Sequence, residues 1–358
     1  MGSQLTQVAI KTRKVVRFGI YFVIGFLILR FAFNMALDLK NRLFPKPPPA
    51  PTIGFDVLPA IEFPSTNQVL PELKYAVETP TGTLPQFESQ FKVYYMPRSL
   101  PSLDSVDQSR RIAANLGFNP SAEELSETIY RYAHKNSPSN LTMNIIWQTF
   151  SITYNLAADP SPLNSPPPTV SEAISIAKGY LKQANILYEP LEMGTASHEF
   201  LQVESQKLVT AVSLSEADFT KINLHRQNLG SEDNPIPNVT PDPNESNVWF
   251  ILSGKDDIIA SEYHYYKVDT KNYHTYPIKT AEEALQDLQE GKGFVANLGT
   301  NPEGNIIIRD IYLAYYDPNL PSQFYQPVVV FEGDGGFTAY VPAVTDLYYE
   351  SQSSETKE

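Results

Sequence analysis

Side chains suited to chemistry are sparse in this chain. Five histidines stand at positions 134, 198, 225, 264 and 274, and none forms the His-x-x-x-His or His-Glu-x-x-His spacing of a helical metal site. Glu262-Tyr-His264 sets a carboxylate and an imidazole two residues apart, on one face of a strand. With His274 across a turn they could bind a metal or exchange a proton, although ordinary strand surface has the same spacing. Cysteine is absent, which excludes disulfides, thiolate metal sites and a thiol nucleophile. Ser175-Ile-Ala-Lys178 is a formal Ser-x-x-Lys, but no Ser-Asp-Asn or Lys-Thr-Gly accompanies it, so it reads as plain helix. Asp256-Asp257 reads as a turn between strands. Glu232, Asp233, Asp242 and Glu245 lie in a proline-broken loop without calcium-loop spacing. Glu332-Gly-Asp-Gly-Gly336 leads into a strand and so reads as a hairpin turn, not a phosphate cradle. No catalytic, cofactor-binding or metal-ligating residue is assigned, and no cofactor is expected. The chain reads as non-enzymatic, with an envelope hydrolase working through carboxylates as the alternative.

The charge pattern says more about place than about chemistry. The 358 residues carry a net charge of −13, which argues against a nucleic-acid partner. Residues 1–46 hold eight of the 27 basic residues and one of the 40 acidic ones, so the rest of the chain is strongly acidic. Lys11, Arg13, Lys14 and Arg17 precede an apolar stretch read as a membrane helix over 18–39, about 33 Å long against a bilayer core of ~30 Å. The basic tail 1–17 places the N-terminus in the cytoplasm and the remainder outside. The alternative is a cleaved signal peptide with 18–29 as its core, but Arg30 follows at once and no small-x-small site is evident. Arg30, Asn34 and Asp38, spaced i, i+4, i+8, share a helix face. They either snorkel to the interface or pair with another membrane helix.

Beyond the span, residues 45–51 read PKPPPAP, and 40–85 is expected to be a proline-rich stalk. A first module is expected over 86–158, a linker over 159–168, a second module over 169–345 and a disordered tail over 346–358. The grounds are recurring start signals. Ser105-Val-Asp-Gln108, Ser121-Ala-Glu-Glu124, Thr169-Val-Ser-Glu172 and Thr280-Ala-Glu-Glu283 all have capping-box form, and the first, third and fourth open short amphipathic helices. Strand-like runs follow, including 90–95, 128–134, 141–156, 199–204, 208–214, 248–252 with 258–268, 305–316, 326–331 and 337–341. Residues 216–227 fit either a short helix or a strand. The fold class is α+β: one N-terminal transmembrane helix, then repeated helix-plus-antiparallel-sheet modules outside the membrane.

Two stretches resemble known families. Arg110-Arg-Ile-Ala-Ala-Asn-Leu-Gly-Phe118 followed by Tyr130-Arg-Tyr132 resembles the helix-to-strand unit of PepSY-like extracytoplasmic domains. Ile311-Tyr-Leu-Ala-Tyr-Tyr316, Gln326-Pro-Val-Val-Val-Phe-Glu-Gly333 and Ala339-Tyr-Val-Pro-Ala-Val344 resemble the C-terminal part of the YycH/YycI regulators, single-pass membrane proteins of bacterial two-component systems. The shared motifs are apolar and carry over no catalytic residue. The resemblance implies a bacterial plasma-membrane protein that contacts a sensor kinase or another envelope protein. Independently, Ile311, Leu313 and Tyr315 should face one side of their strand and Tyr312, Ala314 and Tyr316 the other. Tyr312, Tyr315 and Tyr316 are the candidate sheet-face contacts, and Arg30, Asn34 and Asp38 the candidate membrane-helix contacts. A structural or secretion-associated envelope protein is the further alternative, and the sequence leaves oligomeric state open.

Overall fold

The computed structural model describes residues 2–43, 49–65, 70–255 and 257–350. It consists of an N-terminal helix and a body that begins at Pro51. Helix α1 (Gly2–Leu43) runs for 42 residues, well past both ends of the expected span. It contains no proline, so nothing interrupts its backbone hydrogen bonds. Its segment Arg17–Leu37 is 21 residues long, unburied, and apolar enough to cross a membrane. The Asp38 side chain, residues 44–48 of the proline run, Asp256 and residues 351–358 lie outside the described residues.

The body is mostly sheet. Its largest element is a nine-stranded antiparallel sheet in the order β3 (Glu123–Glu124), β4 (Ile129–Ala133), β5 (Ser139–Asn144), β6 (Phe150–Tyr154), β14 (Ile258–Tyr263), β13 (Val248–Leu252), β9 (Phe219–Leu224), β7 (Ala196–Glu204) and β8 (Lys207–Thr210). Helices α2 (Ser105–Asn115) and α3 (Val170–Gln183) pack into one core with it: Ile112, Ala113, Ala173, Ala177 and Leu181 lie among Tyr132, Phe250 and Tyr263. A single turn, α4 (Glu189–Glu192), adds Leu191 to that core. The stretches expected as two separate modules therefore share one sheet, joined where β6 pairs with β14.

A six-stranded sheet follows the path β1 (Lys74–Val77), β17 (Asn305–Tyr316), β19 (Pro327–Gly333), β20 (Phe337–Pro342), β16 (Phe294–Asn297), with β12 (Asn238–Val239) also on β17. The β1 and β12 pairings are parallel. A three-stranded sheet has the order β15 (Asp269–Pro277), β2 (Gln90–Tyr95), β18 (Phe324–Tyr325), and β10 (Leu229–Ser231) pairs with β11 (Asn234–Ile236). Strand β2, expected in the first module, thus pairs with strands far later in the chain.

The six-stranded sheet is covered on both faces, which accounts for its unbroken apolar runs. On one face Ile308, Val329, Phe331 and Val341 meet Ala284 and Leu288 of α5 (Ala281–Gln289). On the other, Ala314, Tyr316, Val328, Val330 and Tyr340 meet Ile61 and Phe63. Those last two residues belong to the expected stalk, which is thereby corrected: from Pro51 onward the described part of 40–85 is a strap built into the body. Leu58 is fully buried, and its backbone is clasped by the C-terminal segment, Leu58 N–H to Tyr348 O at 2.9 Å and Glu350 N–H to Leu58 O at 2.9 Å. Ile61 N–H donates to the Tyr349 hydroxyl at 2.8 Å, and Phe55 N–H to the Tyr276 hydroxyl at 2.8 Å. Prolines lack an N–H, so the strap is fastened by the donors that stand between them. Residues 346–350, assigned to a disordered tail, form the other half of this clasp.

Local signals decide the helix starts unevenly. Thr169 and Thr280 each form a complete capping box with Glu172 and Glu283. At α2 the cap residue is Asp104, without a side-chain cap bond, and Ser105 lies inside the helix with its hydroxyl accepting from Ser102 N–H at 3.0 Å. Ser121 opens no helical turn, because Glu123 and Glu124 pair with β4. The ambiguous 216–227 contains strand β9, and the run 141–156 is split into β5 and β6 by a turn. Gly335 and Gly336 adopt φ of 68° and 83° between β19 and β20, the left-handed conformations that a hairpin turn needs there.

Candidate functional site

The site is a cleft of about 230 Å³ where the nine-stranded sheet meets the segments around β2 and β18. The β5–β6 turn supplies Trp147 and Gln148. The Asn144 side-chain carbonyl accepts from Ile146 N–H at 2.9 Å and Trp147 N–H at 3.1 Å, and Gln148 takes the left-handed conformation at φ 59°. Tyr188 enters just before α4. Tyr263 closes β14, and Tyr265, Tyr266 and Lys267 follow it. Arg98 arrives from the segment after β2.

Aromatic faces and cations alternate from the cleft into the interior. Lys267 Nζ lies 4.5 Å from the Tyr188 ring centre, and Tyr188 stacks on Tyr265 at 5.2 Å. The Arg226 guanidinium sits 4.3 Å from Tyr265 and 5.5 Å from Tyr325. Tyr325 stacks on Tyr315 at 5.2 Å. Each cation meets the electron-rich face of a ring, worth about 0.5–2 kcal/mol depending on desolvation. Trp147 meets Tyr266 edge-on at 5.6 Å and completes the aromatic lining.

Arg226 is anchored by a bidentate ion pair with Asp317, Nε to Oδ2 at 3.1 Å and Nη2 to Oδ1 at 3.0 Å, and Nη2 also donates to Tyr266 O at 2.8 Å. Both side chains are almost wholly buried. Burial opposes the charge on Arg226, but Asp317 outweighs it and raises the guanidinium pKa. The pair ties the end of β9 to the end of β17, since Arg226 and Asp317 lie just past those strands. Asn247 reinforces it by donating to Asp317 O at 2.8 Å. The Tyr265 hydroxyl pKa is raised by burial, with Arg226 working against the rise, and Tyr266 is pushed up to about 12 by burial. Both phenols therefore stay protonated and can donate hydrogen bonds at neutral pH.

Among the described residues, the cleft is lined by two cations, Arg98 and Lys267, and by no carboxylate or histidine. In a chain of net charge −13, such a surface attracts an anion rather than the bulk of the protein's own acidic exterior. The ring faces add affinity for an apolar or planar body.

The sequence-derived candidates fall elsewhere. Tyr315 and Tyr316 are 1% and 2% exposed, so they cannot present a docking face. The strap and the neighbouring sheets cover them, a long-range effect that their strand periodicity does not carry. Tyr312 is half-buried and donates to Glu332 at 2.6 Å. Arg30 and Asn34 lie exposed on α1. Glu262 and His264 do meet, Nε2 to Oε2 at 2.9 Å, but His274 lies on β15 beside Thr52, at 3.1 Å, and does not join them. Among the described residues, no group of three or more His, Asp or Glu could hold a metal ion.

One constellation was not visible in the sequence. Ser137 Oγ lies 2.7 Å from His134 Nδ1, and Asp257 lines the same small concavity of about 100 Å³. The Ser–His contact is a local turn contact within the β4–β5 connection. The other ring nitrogen faces Gly117, where an added Cβ would stand 3.0 Å from Nε2. For the cleft, the dense aromatic run of Tyr263, Tyr265 and Tyr266 was the available signal. The Arg226–Asp317 pair, 91 residues apart, had none.

No family model matches the chain, and no curated protein matches it. Among solved structures it is similar to the crystal structure of an uncharacterised protein from Eubacterium rectale, with a TM-score of 0.39 and 11% identity over 74% of this chain and 85% of that one.

Proposed function

We propose that this is a non-enzymatic binding protein anchored in a bacterial plasma membrane by α1, with its body outside and its N-terminus in the cytoplasm, and that the aromatic cleft docks an anionic segment of an envelope partner. The observation that carries this reading is the cleft itself: aromatic faces flanked by Arg98 and Lys267, with no carboxylate among the described residues of its lining, on a protein of net charge −13. The basic tail ahead of the span supports the orientation. The PepSY-like and YycH/YycI-like sequence stretches support a sensor kinase as the partner class. The PepSY-like stretch, which falls on α2 and β4, also supports reading α2 with β3–β6 as a helix-plus-sheet unit within the expected first module 86–158. Arg30 and Asn34 on α1 would add a contact within the membrane.

Co-purification from native membranes tests the reading. The full-length chain should retain a partner that is lost from the Arg98→Glu/Lys267→Glu double variant while the fold, read by circular dichroism, persists. Equal recovery of every bound protein by both chains overturns the assignment of the cleft. A photo-crosslinker at Arg30 should capture protein rather than lipid alone.

A further inference from the structure

The β10–β11 hairpin forms a sheet of its own, pairing Leu229 with Ile236, Gly230 with Pro235 and Ser231 with Asn234. Its tip is therefore Glu232-Asp233, two adjacent acidic residues, both exposed. Two-residue hairpin loops favour Asn-Gly, Asp-Gly or Gly-Gly, so local turn preference does not account for Glu-Asp. The turn is held instead by Asn234 N–H, which donates to Ser231 Oγ at 3.2 Å. An isolated two-stranded hairpin is marginal in water, and this one is anchored at its foot. Leu229 and Ile236 pack in one cluster with Met96, Trp147 and Tyr266, three residues of the cleft lining. Just before the foot, Gln227 N–H donates to Pro190 O at 2.7 Å, two residues from Tyr188. The hairpin thus rises from the wall of the cleft and carries its two acids about 10 Å beyond that foot.

Arg98 and Lys267 of the cleft are exposed as well. Among the described residues, none of Glu232, Asp233, Arg98 and Lys267 has an ion-pair partner. One chain therefore carries an unpaired acidic tip and an unpaired basic cleft close together, without joining them. A two-fold axis between the two features sets each tip over the other copy's cleft and closes the contact on itself. Tip against tip, or cleft against cleft, would bring like charges together, so electrostatics selects the reciprocal arrangement.

We propose that the cleft, when no other partner fills it, takes the Glu232-Asp233 tip of a second copy of this chain, exchanged reciprocally across a two-fold axis with the carboxylates on Arg98 and Lys267. This names an occupant and a control for the cleft proposed above, and it rests on reading that cleft as a surface for anionic segments. Two chains of net charge −13 repel one another as wholes, so the contact depends on this local match. A seated tip covers the cleft, so self-pairing and the docking of another anionic partner exclude each other.

The chain has no cysteine, so single introduced cysteines report contacts without background. Full-length chains carrying Glu232→Cys and Lys267→Cys are mixed in detergent micelles and oxidised, and any disulfide joining the two variants lies between copies. That mixed dimer should form well above the level given by Lys267→Cys mixed with Val212→Cys, a residue 92% exposed after β8. Sedimentation of the parent chain should show a dimer that Glu232→Lys/Asp233→Lys weakens at least about tenfold, and that returns when this pair is combined with Arg98→Glu/Lys267→Glu. A mixed disulfide no stronger than the Val212→Cys control overturns the proposal. So does a tip variant that associates as the parent does, which would place the contact elsewhere, α1 included. The two readings of the cleft fail separately. A parent that stays monomeric, yet loses a co-purified protein on Arg98→Glu/Lys267→Glu, overturns the second copy alone. A tip-dependent dimer with equal recovery of every other protein upholds the second copy and overturns the envelope partner.

Discussion

Arg226 shows how much one buried charge can decide. Its two bonds to Asp317 and its stacking between Tyr265 and Tyr325 make it the joint between the nine-stranded sheet and the end of β17. Removing one partner leaves the other buried and uncompensated, which costs about 3–5 kcal/mol, whereas replacing both by apolar residues of similar size costs far less. Arg226→Met and Asp317→Leu should each lower the denaturant midpoint strongly, and the double variant should recover part of the loss. Simple additivity of the two would show that the pair does not act as a unit.

Two histidines make a separate residue-scale prediction. Burial holds His134 below the ordinary imidazole range, with Asp257 working against it and Lys135 with it. Burial likewise lowers His225, opposed by Asp317. A folded state that binds protons more weakly than the unfolded chain is favoured above the unfolded pKa of about 6.5. That contribution is lost as pH falls from about 6.5 through the lower folded values. Urea midpoints should therefore decline as the pH is taken from neutral to mildly acid, and His134→Gln should flatten the slope. A midpoint that rises on acidification over this range would contradict the assignment.

At the scale of elements, the helix starts differ in how they are secured. Thr280 accepts from Glu283 N–H at 3.2 Å, and Glu283 Oε2 accepts from Thr280 N–H at 2.8 Å. Thr280→Ala should cost about 1 kcal/mol in global stability. Asp104→Ala at the start of α2 should cost much less, because that side chain makes no cap bond. Comparable losses at both positions would mean that stability there comes from something other than the cap. Capping boxes were legible because their partners lie three residues apart. The failed readings at Ser105 and Ser121 had the same local pattern, but a competing hydroxyl and a cross-strand pairing won.

At the scale of the whole molecule, the strap is the feature that changes the architecture. A chain begun at Pro51 should fold and remain dissolved without detergent, since it lacks α1 and keeps the clasp of Leu58 with Tyr348 and Glu350. A chain begun at Gln86 loses β1, Leu58 and Ile61, opening an edge of β17 and one apolar face of the six-stranded sheet. It should aggregate or melt far lower. Even the single change Leu58→Ala should cost about 2–5 kcal/mol, given that the side chain is fully buried. Identical melting curves for the chains begun at Pro51 and Gln86 would return residues 51–85 to the role of a spacer.

What the residues determined alone is what depends on short range or on simple length. The apolar run of α1, the boxes at Thr169 and Thr280, the hairpin glycines and the alternation of Ile311 and Leu313 against Tyr312 and Ala314 each express a preference set within a few positions of chain. Only the tertiary structure decided what covers each strand. It buried Tyr315 and Tyr316, drew the proline-rich strap onto the second face of the six-stranded sheet, and brought Arg98, Trp147, Tyr188 and Lys267 to one cleft. The physical reason is that burial is a property of the partner as much as of the residue. A half-apolar strand specifies that a face must be covered, and the identity of the cover is settled by packing between segments tens to hundreds of residues apart.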